Sequence, residues 1–202
     1  AGARSFLLVP EGGKLPMPLT LRFRAPEGAS VATGLARTGD VQRIDTADFP
    51  YISFLAMGRV ELLRVPVAAR GGAGTLTVAI LDEKLPLARE ALAQWLGASA
   101  ARIGGYFGGF PARESLIVMQ PMPNLRYLRR GMVAGGGGAT MLLRIGAATE
   151  PGDLFGQWML MHELVHFAAP FIEGHAWLME GMAVYTETRL RGAARWVPRD
   201  QA

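Results

Sequence analysis

The 202-residue sequence contains no cysteine. Disulfide bonds and zinc sites built on cysteine thiolates are therefore excluded, while the cellular compartment is left open. No uninterrupted apolar run reaches the ~20 residues that a membrane-spanning helix needs. Histidine is scarce, with three in the chain. Half of the residues are hydrophobic and 19% are charged, which is typical of a packed globular protein.

Excess charge is also small, with a formal net charge of +4. The densest basic run, residues 124–130, predicts a solvent-exposed basic loop. A nucleic-acid-binding protein needs a larger basic stripe and an identifiable module, and the sequence has neither. We therefore expect no nucleic-acid partner, and nothing in the sequence requires the remaining hypothesis of an adaptor at a membrane surface.

Residues 1–70 carry short alternating apolar and polar segments punctuated by proline, which predicts antiparallel β-structure. The glycine-rich run 70–74 is the best boundary signal. We predict an N-terminal β domain over residues 1–72 and a second domain over residues 73–202. The strands predicted in the first are 5–9, 19–24 and 60–65.

The second domain alternates strand and helix patterns, which indicates an α+β fold. Its predicted strands are 75–81, 115–119 and 139–145, the last entered from the glycine-rich run 135–138. Its predicted helices begin near Pro86, at Asp153 as an N-cap, and near residue 176. Pro170 is expected to end the middle helix.

The middle helix contains His162-Glu163-Leu164-Val165-His166, an H-E-x-x-H motif. Residues four apart lie about 40° apart around a helix, one turn above the other, so both imidazoles can reach one metal ion. Glu163 projects near them and is a candidate general base. The alternative is a pair of histidines satisfied within a buried helix, with Glu163 in an ion pair.

A third ligand is predicted on the last helix, where Glu180 follows Trp177 and Leu178. Glu173 and His175 are the competing candidates, but they lie in a segment that reads as a turn and would position a ligand poorly. Two imidazoles, one carboxylate and an open fourth position are typical of catalytic zinc.

Taken together, the pentapeptide and the Trp177-Leu178-x-Glu180-Gly181-x-Ala183-x-Tyr185 pattern resemble the gluzincin metallopeptidases, in particular the aminopeptidase-N-like and glycyl-aminopeptidase-like branches. The likeness covers roughly residues 153–190. It implies a thermolysin-like zincin core behind the N-terminal domain, a Zn²⁺ cofactor, and peptide or protein substrates. Peptide bonds would be hydrolysed by a metal-activated water with Glu163 as general base.

Other assignments follow from the resemblance or from position near the motif. Glu187, seven residues after Glu180, is a candidate acceptor for a ligand imidazole. Candidate substrate contacts are Gly137, Gly138, His175 and Tyr185; the alternatives are a plain flexible loop for the glycines, simple exposure for His175 and a packing role for Tyr185. The strand 139–145 is expected to be the edge strand that holds substrate. Residues 135–145 contain no acidic side chain, so the amine-binding glutamate of the aminopeptidase N group is not expected.

The resemblance also implies a helical C-terminal part that supplies an oxyanion donor, and we expect that part to be absent here. A periplasmic or secreted location is expected from the missing initiator Met and from the habit of the family. The alternative function is a non-catalytic, zinc-containing peptide-binding or scaffold module, although pure metal binding would not need Glu163.

Overall fold

The computed structural model describes residues 18–35, 37–44, 54–81, 85–134, 139–169, 172 and 174–197. The predicted strand at residues 5–9 lies outside this part of the chain, as do Gly137, Gly138 and Glu173.

The described residues form ten strands and three α-helices. Strands β1 to β5 are Leu19–Leu21, Ser30–Thr33, Arg37–Thr38, Val41–Ile44 and Leu55–Gly58. Strands β6 and β7 are Glu61–Ala69 and Gly72–Ile80, followed by α1, Arg89–Phe107. The remaining elements are β8 (Glu114–Met122), β9 (Leu128–Ala134), β10 (Ala139–Gly146), α2 (Met159–Ala168) and α3 (Ala176–Ala193). The predicted combination of sheet and helices is confirmed at this level.

The largest sheet has five strands in the order β6-β7-β8-β10-β9. Its three central strands are parallel, and the two outer strands pair antiparallel with their neighbours. Strand β8 is buried along five consecutive residues because both of its faces are covered. Strand β10, predicted to be the edge, is interior, and β9 is the edge strand instead.

The helices cover one face of this sheet. Helix α1 packs on β6, and α2 packs on α1, β9 and β10. Their buried side chains form one apolar core with the sheet, which includes Trp95, Leu96, Met141, Leu143 and Leu164. Each fully buried side chain of this size stabilises the fold by roughly 1.5–3 kcal/mol. None of the helices in the described ranges is both long and apolar enough to cross a membrane.

The opposite face of the sheet is partly covered by the pair β2–β5, whose Ala32 and Ala56 pack on Leu116 and Val118. Strands β1, β4 and β3 form a separate small sheet. The boundary expected at residue 72 falls at the β6–β7 hairpin, and β6 pairs with β7 along nine residue pairs. The five-stranded sheet therefore draws β6 from before residue 72, and the division into two domains stays a prediction.

Two local predictions are wrong. Residues 128–130 belong to β9 and are not part of a basic loop. Asp153 does not cap α2, which begins at Met159; it lies in a short 3-10 helix, Pro151–Asp153. Its carboxylate accepts hydrogen bonds from Arg126 Nε and Nη2, at 2.8 and 2.7 Å. Five further residues separate Asp153 from the start of α2.

We expect Arg126→Gln to lower the free energy of unfolding at neutral pH. The hydrogen bond from Arg126 holds the pKa of Asp153 below its ordinary value. A lowered carboxyl pKa contributes stability that is present above the ordinary pKa, ~3.9, and is lost as pH falls through the folded value. Urea unfolding across pH should therefore show the two proteins converging in acid. A difference that stays constant with pH would contradict the role of charge.

Candidate metal centre

Helix α2 brings His162 and His166 to one face, one turn apart. Leu160, Leu164 and Val165 are buried and hold this helix against the sheet. The helix ends at Ala168, and Ala169 is extended with φ −84° and ψ 134°, the conformation that a following proline imposes. The two imidazole Nε2 atoms lie 3.2 Å apart, and His162 is 7% exposed.

Helix α3 packs on α2 and brings Glu180 to the same point. Its Oε2 lies 3.0 Å from His162 Nε2, and its Oε1 lies 3.6 Å from His166 Nε2. One ligand atom from each residue lies within 4.8 Å of every other. The Glu180 side chain is 59% exposed, so this corner of the cluster opens to solvent.

This cluster has the spacing that zinc requires. Ligand atoms about 2.0–2.2 Å from a tetrahedral zinc lie roughly 3.3–3.6 Å from each other, close to the 3.0–3.6 Å separations in the cluster. Burial lowers the pKa of His166. A lowered pKa keeps the imidazole neutral, which is the form that binds a metal. Both the geometry of the cluster and the neutral form of His166 therefore fit Zn²⁺.

The structure does not support the alternative in which both histidines are fully hydrogen-bonded within a buried helix and Glu163 forms an ion pair. In the described part of the chain, His162 Nδ1 is buried without a hydrogen-bond partner. Glu163 makes no ion pair with any described residue. Its pKa is raised chiefly by burial, with a further contribution from the charge of Glu180. The Glu163 carboxyl beside the cluster therefore holds a proton more readily than an exposed glutamate does, as a group that exchanges protons requires.

A cavity of about 550 Å³ lies over these side chains. One wall is formed by β9 residues 131–134, and the opposite wall is formed by α2 and by Met179 and Glu180 of α3. The Val133 N–H donates a hydrogen bond toward the Glu163 carboxylate. The edge strand is thus in direct contact with the candidate base.

Gly131 permits this close approach of β9 to α2. A Cβ atom at this position would lie 2.5 Å from Glu163 Oε1 and would overlap the rest of the carboxyl group. The sequence reasoning missed Gly131, which it assigned to no element. A single glycine between Arg130 and Met132 was the available signal, because glycine inside a strand often marks a close approach of another group.

Helix α3 is held at its far end by a buried ion pair. Arg191 Nη1 donates to Glu187 Oε2 at 3.1 Å, and Arg191 Nη2 donates to the Gly156 carbonyl at 2.8 Å. Trp196 meets Phe155 edge to face, with ring centroids 5.0 Å apart. Because residues 155–156 lead directly into α2, these contacts fix the two helices that carry the cluster.

In fold, the chain resembles part of an aminopeptidase N family protein from Idiomarina loihiensis. That solved structure superposes with a TM-score of 0.69 at 16% sequence identity, covering 98% of this chain and 38% of the other. Native yeast LTA4 hydrolase superposes with a TM-score of 0.52 at 16% identity, covering 90% of this chain and 28% of the other. This chain thus spans less than two fifths of either protein. No family model and no curated protein matches the sequence.

The remaining predicted site residues that the structure describes lie outside the cluster of His162, His166 and Glu180. The Glu187 carboxylate accepts hydrogen bonds from Thr188 Oγ1, at 2.9 Å, and from Arg191, and its hydrogen bonds in the described part of the chain include none to an imidazole. Tyr185 is 61% exposed on α3. His175 is exposed at the residue before α3. Within the described part of the chain, neither Tyr185 nor His175 lines the cavity.

Proposed function

We propose that the protein is a zinc-dependent peptidase whose sheet and helices form the core of a thermolysin-like zincin. The observation that carries this proposal is the convergence of His162, His166 and Glu180, beside Glu163, in a cavity walled by an edge strand. The assignment of these residues as ligands and base rests on their spacing and chemistry. The periplasmic or secreted location remains a proposal of the same kind.

When bound, zinc would lower the pKa of a water molecule from ~15.7 toward ~7 and polarise the scissile carbonyl. His162 and His166 would hold the ion through their Nε2 atoms, and Glu180 would supply a carboxylate oxygen. Glu163 accepts a proton from the attacking water and then delivers it to the leaving amine. Its raised pKa suits this second step, because a weaker acid retains the proton until the amine needs it.

Substrate would bind along β9. This strand pairs only with β10 among the described residues, so its outer edge can accept an added strand. An extended peptide there would lie alongside β9, next to Gly131 and over the cluster. Among the described residues that line the cavity, the acidic ones are Glu163 and Glu180, the candidate base and a candidate ligand, so none of the others there would bind a free α-amine.

One observation favours the alternative of a zinc-containing module that binds peptides without turnover. The described cavity lining contains no tyrosine, lysine or arginine, so no such side chain is placed to stabilise an oxyanion. Metal analysis combined with cleavage of a peptide library separates the two functions. A peptidase contains about one zinc per chain and cleaves peptides, whereas a binding module retains them intact. Absence of zinc would overturn both.

We expect Gly131→Ala to reduce peptide hydrolysis by about 10²-fold while zinc content stays the same. The added methyl group would displace the Glu163 carboxylate, and a misplacement near 1 Å can cost this much. Gly105→Ala on α1 is the control, since its Cβ meets no atom within 4 Å. Hydrolysis at the level of the control would show that Glu163 does not need its present position.

A further inference from the structure

A pair of arginines that has no acidic partner among the described residues spans the edge strand β9 and its neighbour β10. Arg130 of β9 lies directly opposite Arg144 of β10 in the antiparallel register. Like charges placed directly opposite one another on a sheet are destabilising. Arg144 donates from Nε to Gln120 Oε1 at 3.0 Å, and this neutral partner removes none of the positive charge.

The two arginines share the face of the sheet that points away from the helices. Leu143 and Met141 of β10 belong to the core under α2, so their neighbours Leu142 and Arg144 face the other way. Gly131 pairs with Leu143 and points toward Glu163, and therefore Arg130 points to the opposite face with Arg144. A bulge follows at once, because Ile145 pairs with Leu128.

No acidic side chain among the described residues balances this charge. Nearby, Glu150 and Asp153 both form ion pairs with Arg126. Arg130 is exposed and makes no ion pair in the described part of the chain, whereas Arg144 is half-buried. Within the described part of the chain, the surface beside the edge of β9 is therefore positive and can accept an anionic group.

We propose that Arg130, supported by Arg144, is a specificity-determining residue that selects an acidic side chain in the substrate. This inference rests on the proposed function, because it requires a peptide paired with β9. In such a pair, the residue opposite Gly131 faces Glu163 and the residue opposite Arg130 faces the arginines. The acidic residue is thus the chain neighbour of the residue held over the candidate base.

An exposed arginine on an edge strand also hinders pairing with other chains. That protective role requires a charge but is indifferent to its sign, since glutamate on the edge would serve as well. Selection of an acidic substrate depends on the sign. Reversal of the charge at position 130 therefore distinguishes substrate selection from protection of the edge.

The test uses zinc-loaded protein and sets of otherwise identical peptides. In each set, one position near the cleaved bond carries Glu, Gln or Lys. The wild type should favour Glu over Gln at one position by about three- to tenfold in kcat/KM. Arg130→Gln should abolish this preference, and Arg130→Glu should invert it in favour of Lys. Arg102→Gln is the matched control, since α1 packs on β6 at the opposite edge of the sheet. Added salt should weaken the wild-type preference.

Hydrolysis without any acidic preference would overturn the inference and leave the proposed function standing. A preference that survives in Arg130→Gln would overturn it equally. If no peptide is hydrolysed, the proposed function fails, and binding of the same peptides to zinc-loaded Glu163→Gln protein, measured by calorimetry, decides the inference. The inference is supported if the Glu peptide binds more tightly than the Gln peptide and this difference disappears when Arg130→Gln is added to Glu163→Gln. Equal binding of the two peptides to the Glu163→Gln protein overturns the inference.

Discussion

Peptide hydrolysis by the Glu163→Gln protein should be about 10²–10⁴-fold slower than by the wild type, with zinc content unchanged. Glutamine keeps the shape of the side chain and still fits against Gly131, but it cannot accept a proton from water. A positioned general base contributes a factor of this size. The measurement compares kcat at saturating peptide with the metal content of the same preparation.

A matched control for this variant is Glu187→Gln. Glu187 is a buried helix carboxylate, at 6% exposure, that pairs with Arg191 at the far end of α3 and is not part of the cluster. Glu187→Gln should lower the melting temperature, whereas the rate of hydrolysis per folded molecule should stay close to that of the wild type. Undiminished hydrolysis in Glu163→Gln would remove Glu163 from its assigned role and leave the ligand assignments intact.

His162→Ala should weaken zinc binding by more than ~100-fold, measured by competition with a chelator. The variant loses the most deeply buried of the three donors, whose Nε2 lies within 3.2 Å of both of the others. Loss of a residue that merely orients a ligand costs 10–100-fold, so loss of a ligand itself should exceed that range. His175→Ala serves as the control because it removes an exposed imidazole outside the cluster.

The same competition assay tests the third ligand. Glu180→Ala should weaken zinc binding far more than Glu173→Ala or His175→Ala does. If His175→Ala were the most damaging of the three, a site with three histidines would replace the one proposed here. Full zinc retention in both His162→Ala and His166→Ala would place the metal elsewhere.

Local patterns were sufficient to predict most of the helix that carries the histidines and the helix that carries Glu180. The four-residue spacing of His162 and His166 constrains them to one face of any helix that includes both. The apolar runs at residues 75–81 and 115–119 lie within β7 and β8, apart from Leu81, because strands buried on both faces need continuous hydrophobic sequence. The start of α3 at Ala176 also agrees with the prediction.

The order of strands could not be predicted in the same way. Residues 128–134, Leu-Arg-Arg-Gly-Met-Val-Ala, show no alternation, because one face of β9 meets α2 through a glycine and the bulge shifts the pattern. Pairing between β9 and β10 is a tertiary property that no short window contains. Asp153 was misassigned for a related reason. A residue that suits a helix N-cap suits a turn equally well, and here Arg126 binds it.

The donors of the cluster come from two helices that meet only when the chain is folded. An unfolded chain retains the local pair His162 and His166 but loses Glu180, so it binds zinc more weakly than the native state does. Zinc at a thousandfold excess over its dissociation constant would therefore add up to about 4 kcal/mol to the free energy of unfolding. A zinc ion held as proposed would act as a reversible cross-link between α2 and α3, and the concentration of free zinc would set how strongly their docking is stabilised.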